Sequence, residues 1–305
     1  MPPLVNHSSP INYNSPRALR RLLDDTGLGM RKKFGQNFLI NPGARTQLLD
    51  ALEIGKGDRV WEVGSGLGAM TAGLLDRGAV LTAFELDRGF IALLGEFFGD
   101  REGFTLIPGD VLKTWPETGN PGEYLLGNLP YSIGAVLLAD FIEKNRFFKR
   151  MVVMIQKEVA RRISAPPGSK DYSSLSVLCG SAYTVSPLMT LRGASFYPEP
   201  RVDSQGLRFD LRPGRIPPPP IFGPLVRRLF ASRRKTVKNN LQDFVSSRLS
   251  GTHAGAAAAA DAPGITGELL AACGIAPDSR AETLSVGEFT ALAEALERVF
   301  WGGRI

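Results

Sequence analysis

Between Arg59 and Ile155 the chain alternates short apolar runs with longer stretches whose apolar positions recur at helical spacing. The runs Arg59–Val63, Val80–Phe84, Phe104–Ile107, Tyr124–Leu126 and Met151–Ile155 are rich in β-branched or aromatic residues and predict strands. The stretches at about Met70–Leu75, Phe90–Phe98 and Ala135–Ile142 predict the helices between them. Strand–helix alternation of this kind implies a parallel sheet covered on both faces, an α/β fold.

Two helices are expected ahead of this region. Ser15-Pro16 and Asn41-Pro42 each pair an N-cap with a first-turn proline, and leucines follow at positions 19, 22 and 23 and at 48, 49 and 52. After Ile155, helical patterns start at Glu158 and Ser174, and Leu188–Arg192 with Leu207–Leu211 predict a closing strand pair. Arg212-Pro213-Gly214 and the prolines 217–220 can continue neither strand nor helix, so a linker is expected there. Helical spacing resumes over Leu225–Leu249, Glu268–Cys273 and Val286–Phe300. The expected organisation is a larger α/β domain over 1–215 and a small all-helical domain over 216–305. The alanine-rich stretch 256–260 reads as a loop or a helix extension without assigned function.

The 305 residues suffice for two such domains, and 43% hydrophobic with 22% charged residues is ordinary for a soluble globular chain. No stretch approaches the roughly 18 apolar residues of a membrane span, and the N-terminus lacks a secretory pattern. Cys179 and Cys273 read as free thiols of a reducing compartment. With only His7 and His253 as imidazole ligands, no metal site is expected. Cytoplasmic location follows as the expectation.

Charge narrows the partner. The net charge is +6, and basic residues cluster at Arg17, Arg20 and Arg21, at Arg31-Lys32-Lys33, and at Arg227, Arg228, Arg233, Arg234, Lys235 and Lys238. A single charge run is commonly a solvated face. Several clusters interleaved with Asn239, Asn240 and Gln242 point to nucleic acid, because cations neutralise phosphates and amides bond sugars and bases.

Glu62-Val63-Gly64-Ser65-Gly66-Leu67-Gly68-Ala69 follows the first strand and opens a helix. Glycines there let the backbone turn tightly and approach a ligand. Taken alone this loop fits a dinucleotide as well, since Glu85 stands about 20 residues on. Two acids favour S-adenosylmethionine instead. Glu62 would welcome a cationic cofactor and repel a pyrophosphate, and Asp110 would accept from an adenine amino group. Glu85 is assigned to the ribose hydroxyls, and Glu62, Gly64, Gly66 and Asp110 complete that set.

Asn128-Leu129-Pro130-Tyr131 follows the fourth strand and matches the tetrad of methyltransferases that modify exocyclic amines. An adenine N6 amine is a poor nucleophile because its lone pair is conjugated into the ring. The Asn128 oxygen and a carbonyl at Leu129 or Pro130 can accept its two N–H groups, freeing the lone pair for in-line transfer. Tyr131 would stack on a base turned out of its helix.

These motifs carry a resemblance. With Lys33-Phe34-Gly35-Gln36-Asn37-Phe38-Leu39, Glu85-Leu86-Asp87, Gly109-Asp110, Phe196 through Pro198 with Pro200 and Val202-Asp203-Ser204, and Phe230 through Thr236 with Asn239-Asn240-Leu241, the chain resembles the KsgA/RsmA family over nearly its whole length. These are small-subunit rRNA adenine N6,N6-dimethyltransferases. The resemblance implies a Rossmann-like class I S-adenosylmethionine methyltransferase with a helical RNA-binding domain. It implies that Asn37, Leu39 and Asn128 contact the cofactor, and that Phe196 faces Tyr131 across the target base. It implies dimethylation of two adjacent adenines near the 3′ end of small-subunit (16S) rRNA, and a role in ribosome assembly. Arg233, Arg234, Lys235 and Lys238 are the expected RNA contacts, and a monomer is expected. An Erm-like large-subunit rRNA methyltransferase and an assembly factor with secondary methylation are the alternatives. The chain departs from the family pattern at Ser65, where proline is usual, and at Ser132, where asparagine is frequent. It departs again at Gln205-Gly206, which is expected to interrupt a strand, and at the alanine-rich stretch.

Overall fold

The computed structural model describes residues 11–28, 36–119, 121–130, 133–214, 216–250 and 261–300. Tyr131, Ser132, both histidines, residues 29–35 with the Arg31-Lys32-Lys33 cluster, and the alanine-rich stretch lie outside the described residues.

In chain order the elements begin with α1 (Pro16–Asp25), β1 (Phe38–Leu39), α2 (Pro42–Ala51), β2 (Arg59–Val63), α3 (Ala69–Asp76) and β3 (Val80–Glu85). Next come α4 (Arg88–Phe98), β4 (Phe104–Pro108), α5 (Val111–Thr114), β5 (Tyr124–Asn128), α6 (Gly134–Glu143) and β6 (Arg150–Gln156). They are followed by α7 (Lys157–Ile163), α8 (Ser174–Ala182), β7 (Tyr183–Leu191), β8 (Phe196–Tyr197) and β9 (Ser204–Leu211). The last four helices are α9 (Phe222–Phe230), α10 (Val237–Ser250), α11 (Ala262–Ala272) and α12 (Val286–Phe300).

The main sheet has seven strands in the order β4-β3-β2-β5-β6-β9-β7. The five strands from β2 to β6 are parallel, as expected from the alternation, and β9 runs antiparallel to β6. Chain order reverses between β2 and β5, so the carboxyl ends of β2, β3 and β5 open on a crevice where open α/β sheets bind ligands. One apolar layer packs Leu48, Leu49 and Leu52 of the α2 region and Leu74 of α3 against Val60, Leu81, Val152 and Met154 of the sheet. Trp61 stands edge-on to Phe84 at 5.0 Å between ring centres. Each such buried aromatic contributes about 2–3 kcal/mol by leaving water.

Gln205-Gly206 does not interrupt the strand. β9 pairs continuously, with Gln205 opposite Ile155 and Gly206 opposite Met154. A side chain at 206 would come within 3.3 Å of Leu48 and 3.4 Å of Met189, so the glycine serves close packing rather than a break.

The chain forms two compact units whose members interleave in sequence. One holds residues up to 140, 147–160 and 185–211; the other holds 141–146, 161–184 and the chain from 212 onward. The expected boundary near 215 thus leaves out 161–184, which pack with the later helices. The Tyr172 hydroxyl donates to Leu284 O at 3.0 Å and Gly168 N to Glu282 O at 2.7 Å. The Tyr172 ring also meets Phe230, which stacks on Phe289.

The helix expected over Leu225–Leu249 is two helices, α9 and α10, separated by a turn at 231–236. Buried Asn240 explains the break. Its Nδ2 donates to Leu229 O at 3.2 Å and Ser232 O at 3.1 Å, satisfying carbonyls that a continuing helix would have bonded itself. Arg233, Arg234 and Lys235 therefore sit on a turn. Both cysteines are free thiols. Among the described residues no helix is long and apolar enough to cross a membrane, and no group of His, Cys, Asp and Glu could hold a metal.

Candidate active site

The glycine loop is shaped by what lies behind it. Gly64, Gly66 and Gly68 have φ of +77°, +55° and +87°, the left-handed region that glycine enters without steric cost. A Cβ on Gly64 would stand 2.9 Å from the Asn128 carbonyl oxygen, and one on Gly66 would stand 3.1 Å from the Phe38 ring. The loop thus leaves a backbone-lined cradle that side chains would fill.

Around it lies one cavity lined by Asn37, Leu39, Gly64, Gly66, Glu85, Asp110, Asn128, Leu129, Pro130 and Phe196. Ten of the residues singled out from the sequence are thereby brought together from six separate segments. Glu85, at the end of β3, is buried; one oxygen accepts from Gly66 N at 2.8 Å and the other from Leu86 N and Asp87 N, both at 2.9 Å. Burial pushes its pKa up, while those N–H groups pull it back. Asp110, which lines the cavity, caps α5 by accepting from Leu112 N at 3.1 Å.

Glu62 is the exception, and the expectation that it faces the cofactor is corrected. It does not line the cavity. It lies buried behind the loop, accepting the Thr71 hydroxyl at 2.7 Å, and burial raises its pKa to about 7. An acid at the inner end of a strand reads in sequence as ligand-facing, but alternation along β2 and the hydroxyl of α3 turn it inward. Its charge is therefore no argument against a pyrophosphate.

Asn128 ends β5. Its Nδ2 donates to Asn37 O at 3.0 Å, which fixes the amide orientation and turns Oδ1 to the accepting role. Pro130 O accepts from Ile133 N and Gly134 N, both at 3.1 Å, in the turn that starts α6. Among the described residues no N–H donates to the Leu129 carbonyl, so of the two backbone acceptors considered it is the one left for a ligand. Leu129 N is held by Met154 O at 3.0 Å.

Phe196 reaches the cavity through a second, two-stranded ribbon. β1 and β8 pair antiparallel, with Leu39 opposite Phe196 and Phe38 opposite Tyr197. The Asn37–Leu39 stretch and Phe196 are thus one structural unit. Tyr131, expected opposite Phe196, lies outside the described residues.

The cavity also includes residues the sequence did not single out, among them Tyr13, Phe90 and Ile133. Phe90 showed only as one apolar position on a helix, and nothing in local spacing marked Tyr13.

In the helical unit, Arg233 pairs with Glu282 at 2.8 Å and Lys235 with Asp243 at 3.1 Å. Arg234 and Lys238 are exposed, with no ion pair among the described residues. Arg233 lines a polar cavity with Arg162, Lys170, Asp171, Ser174 and Phe230.

The same chain matches the ribosomal RNA adenine dimethylase family over residues 27–258. A ribosomal RNA small subunit methyltransferase A of Treponema denticola is 40% identical over 296 residues, covering 94% of this chain and 97% of that protein. The protein of that name from Treponema pallidum (strain Nichols) is 42% identical over 290 residues, covering 93% and 97%. Among solved structures, a dimethyladenosine transferase from Plasmodium falciparum superposes with a TM-score of 0.68 at 22% identity, covering 83% of this chain and 94% of its own. The 23S rRNA methyltransferase ErmE superposes at 0.59 and 19% identity, covering 85% and 99%. At those identities the two structures speak for the fold alone. The chain belongs to the ribosomal RNA adenine dimethylase family of S-adenosylmethionine-dependent methyltransferases.

Proposed function

We propose that this protein dimethylates the N6 amines of two adjacent adenines near the 3′ end of small-subunit rRNA. The observation that carries the chemistry is Asn128. Its amide nitrogen is committed to Asn37 O, and its oxygen stands as an acceptor in the cavity that holds the glycine cradle.

The donor set suits S-adenosylmethionine. Gly64 and Gly66 leave room for the amino-acid portion, Glu85 accepts from ribose hydroxyls, and Asp110 accepts from the adenine amino group. When bound, the cofactor supplies an electrophilic methyl group on a sulfonium. The residues of the chain do the positioning. Asn128 Oδ1 accepts one N–H of the target amine and the Leu129 carbonyl accepts the other, which aims the nitrogen lone pair along the transfer line. Phe196 and Tyr131 stack on the flipped base. The methylated ammonium is acidic enough to lose its proton without a strong base, so no histidine or raised carboxylate is required at the amine.

RNA recognition is assigned to the helical unit. Arg234 and Lys238 are free to meet phosphates, and Arg233 shares its cavity with Arg162 and Lys170, whose side chains have no ion pair among the described residues. The small subunit is favoured over an Erm-like large-subunit target because relatives covering nearly the whole chain at about 40% identity carry the small-subunit name. The protein acts as a monomer in the cytoplasm, on assembling subunits.

The test supplies labelled S-adenosylmethionine to purified small and large subunits from cells lacking the enzyme, then measures dimethyladenosine by mass spectrometry. Label in small-subunit RNA alone is expected. Label confined to the large subunit would replace the proposal with the Erm-like one. Tight binding to immature small subunits without label would leave an assembly factor.

A further inference from the structure

The cofactor cavity has one wall that does not come from the sheet. Residues 11–15 and α1 lie along it, with Tyr13 and Leu19 among its lining and Tyr13, Leu19 and Leu23 packed on Leu67, Phe90 and Leu93. Two polar bonds fix this segment. The buried Tyr13 hydroxyl donates to the Leu67 carbonyl of the glycine loop at 2.9 Å. The Arg45 guanidinium, on α2, donates from one nitrogen to Asn14 Oδ1 and from the other to Leu39 O at 2.8 Å.

Arg45 is unusual in its company. It is half-buried, and no carboxylate among the described residues pairs with it, so its charge is held by two neutral oxygens while burial works against it. Its two bonds join the N-terminal segment to β1, the strand that presents Leu39 to the cavity and pairs with Phe196. Tyr13, next to Asn14 in that segment, joins it to the glycine loop, whose Leu67 also lines the cavity.

We propose that Tyr13 and Arg45 are positioning residues that strap the segment 11–25 over the cofactor cavity, and so set how tightly S-adenosylmethionine is held. The proposal rests on the cavity being the cofactor site. Cofactor bound beneath the segment leaves only when the strap opens, so loss of either bond weakens retention more than it slows transfer.

The variants are Tyr13→Phe, which keeps the ring in its apolar cluster, and Arg45→Met, which keeps the stem and removes both donors. Calorimetry with S-adenosylmethionine on the ligand-free protein is expected to give a Kd raised about fivefold for each, the scale of one hydrogen bond. The double variant should be little weaker than either single one, because both bonds hold one segment. Arg45→Lys should restore part of the affinity. In turnover, KM for cofactor should rise by more than kcat falls, with KM for RNA unchanged. Amides of residues 11–25 should gain hydrogen-exchange protection on cofactor addition in the wild type and less in Tyr13→Phe, a readout that stands even if Arg45→Met fails to fold. Unchanged Kd with unchanged protection would overturn the strap. A wild-type protein that binds no S-adenosylmethionine would instead overturn the cofactor reading beneath it.

Discussion

Replacing Asn128 by alanine removes the proposed acceptor and a strut together, since the amide nitrogen of this cavity-lining residue is held by Asn37 O. Asn128→Ala should abolish methyl transfer while S-adenosylmethionine binding by calorimetry stays within a few-fold of wild type; an active variant would refute the amine mechanism. Glu62 makes a second residue-scale prediction, in pH. In the unfolded chain its carboxyl ionises in the ordinary range, whereas burial holds the folded pKa at about 7. Between those values the folded state binds the extra proton, so stability falls as pH rises through the window and the full cost is present above pH 7. Glu62→Gln keeps an oxygen for Thr71 without the charge. It should be the more stable protein at pH 8, by about 2 kcal/mol, with the gap closing toward pH 4. Thermal melts across pH check this, and parallel curves would remove ionisation as the cause. Asn128, Glu85 and the glycines were legible because strand-end chemistry is local. The inward turn of Glu62 was not, because it depends on a hydroxyl contributed by another element.

Element by element, apolar periodicity located the parallel strands and their helices well, because burial on both faces writes itself directly into the sequence. The misjudged places have tertiary causes. Gly206 reads as a break and is instead packed closely beneath Leu48 and Met189. The stretch 225–249 keeps helical spacing through 231–236, yet Asn240 folds back to end α9. Asn240→Ala should leave Leu229 O and Ser232 O without that donor, costing about 1–3 kcal/mol in denaturant unfolding. It should also loosen the turn carrying Arg233 to Lys235, so RNA affinity should fall although no cation is removed. Full affinity at reduced stability would uncouple the turn from recognition.

For the whole molecule, the +6 charge matters through which cations are free. Arg233 and Lys235 have acidic neighbours, whereas Arg234 and Lys238 have no ion pair among the described residues. Replacing Arg234 and Lys238 together by alanine should lower the slope of log Kd against log salt by about one unit for each phosphate that is no longer neutralised. Filter binding to small-subunit RNA between low and physiological salt measures it, and an unchanged slope would make these two cations a solvated face. Composition announced a polyanionic partner. Which cations meet it depended on where Glu282 and Asp243 fold, which composition does not hold.

The β1–β8 ribbon also bears on how the protein is made. Leu39 emerges early in synthesis and Phe196 only after the parallel strands between them, so their pairing closes a very long loop and must come late. A nascent chain can make its glycine loop, Glu85 and Asn128 while Phe196 is still absent, and with it the strand on which Leu39 pairs. Such a chain lacks both the settled 37–39 wall of the cofactor cavity and the ring that faces the base. Cofactor capture and base capture would then arise together, late in synthesis, when one short strand closes the ribbon.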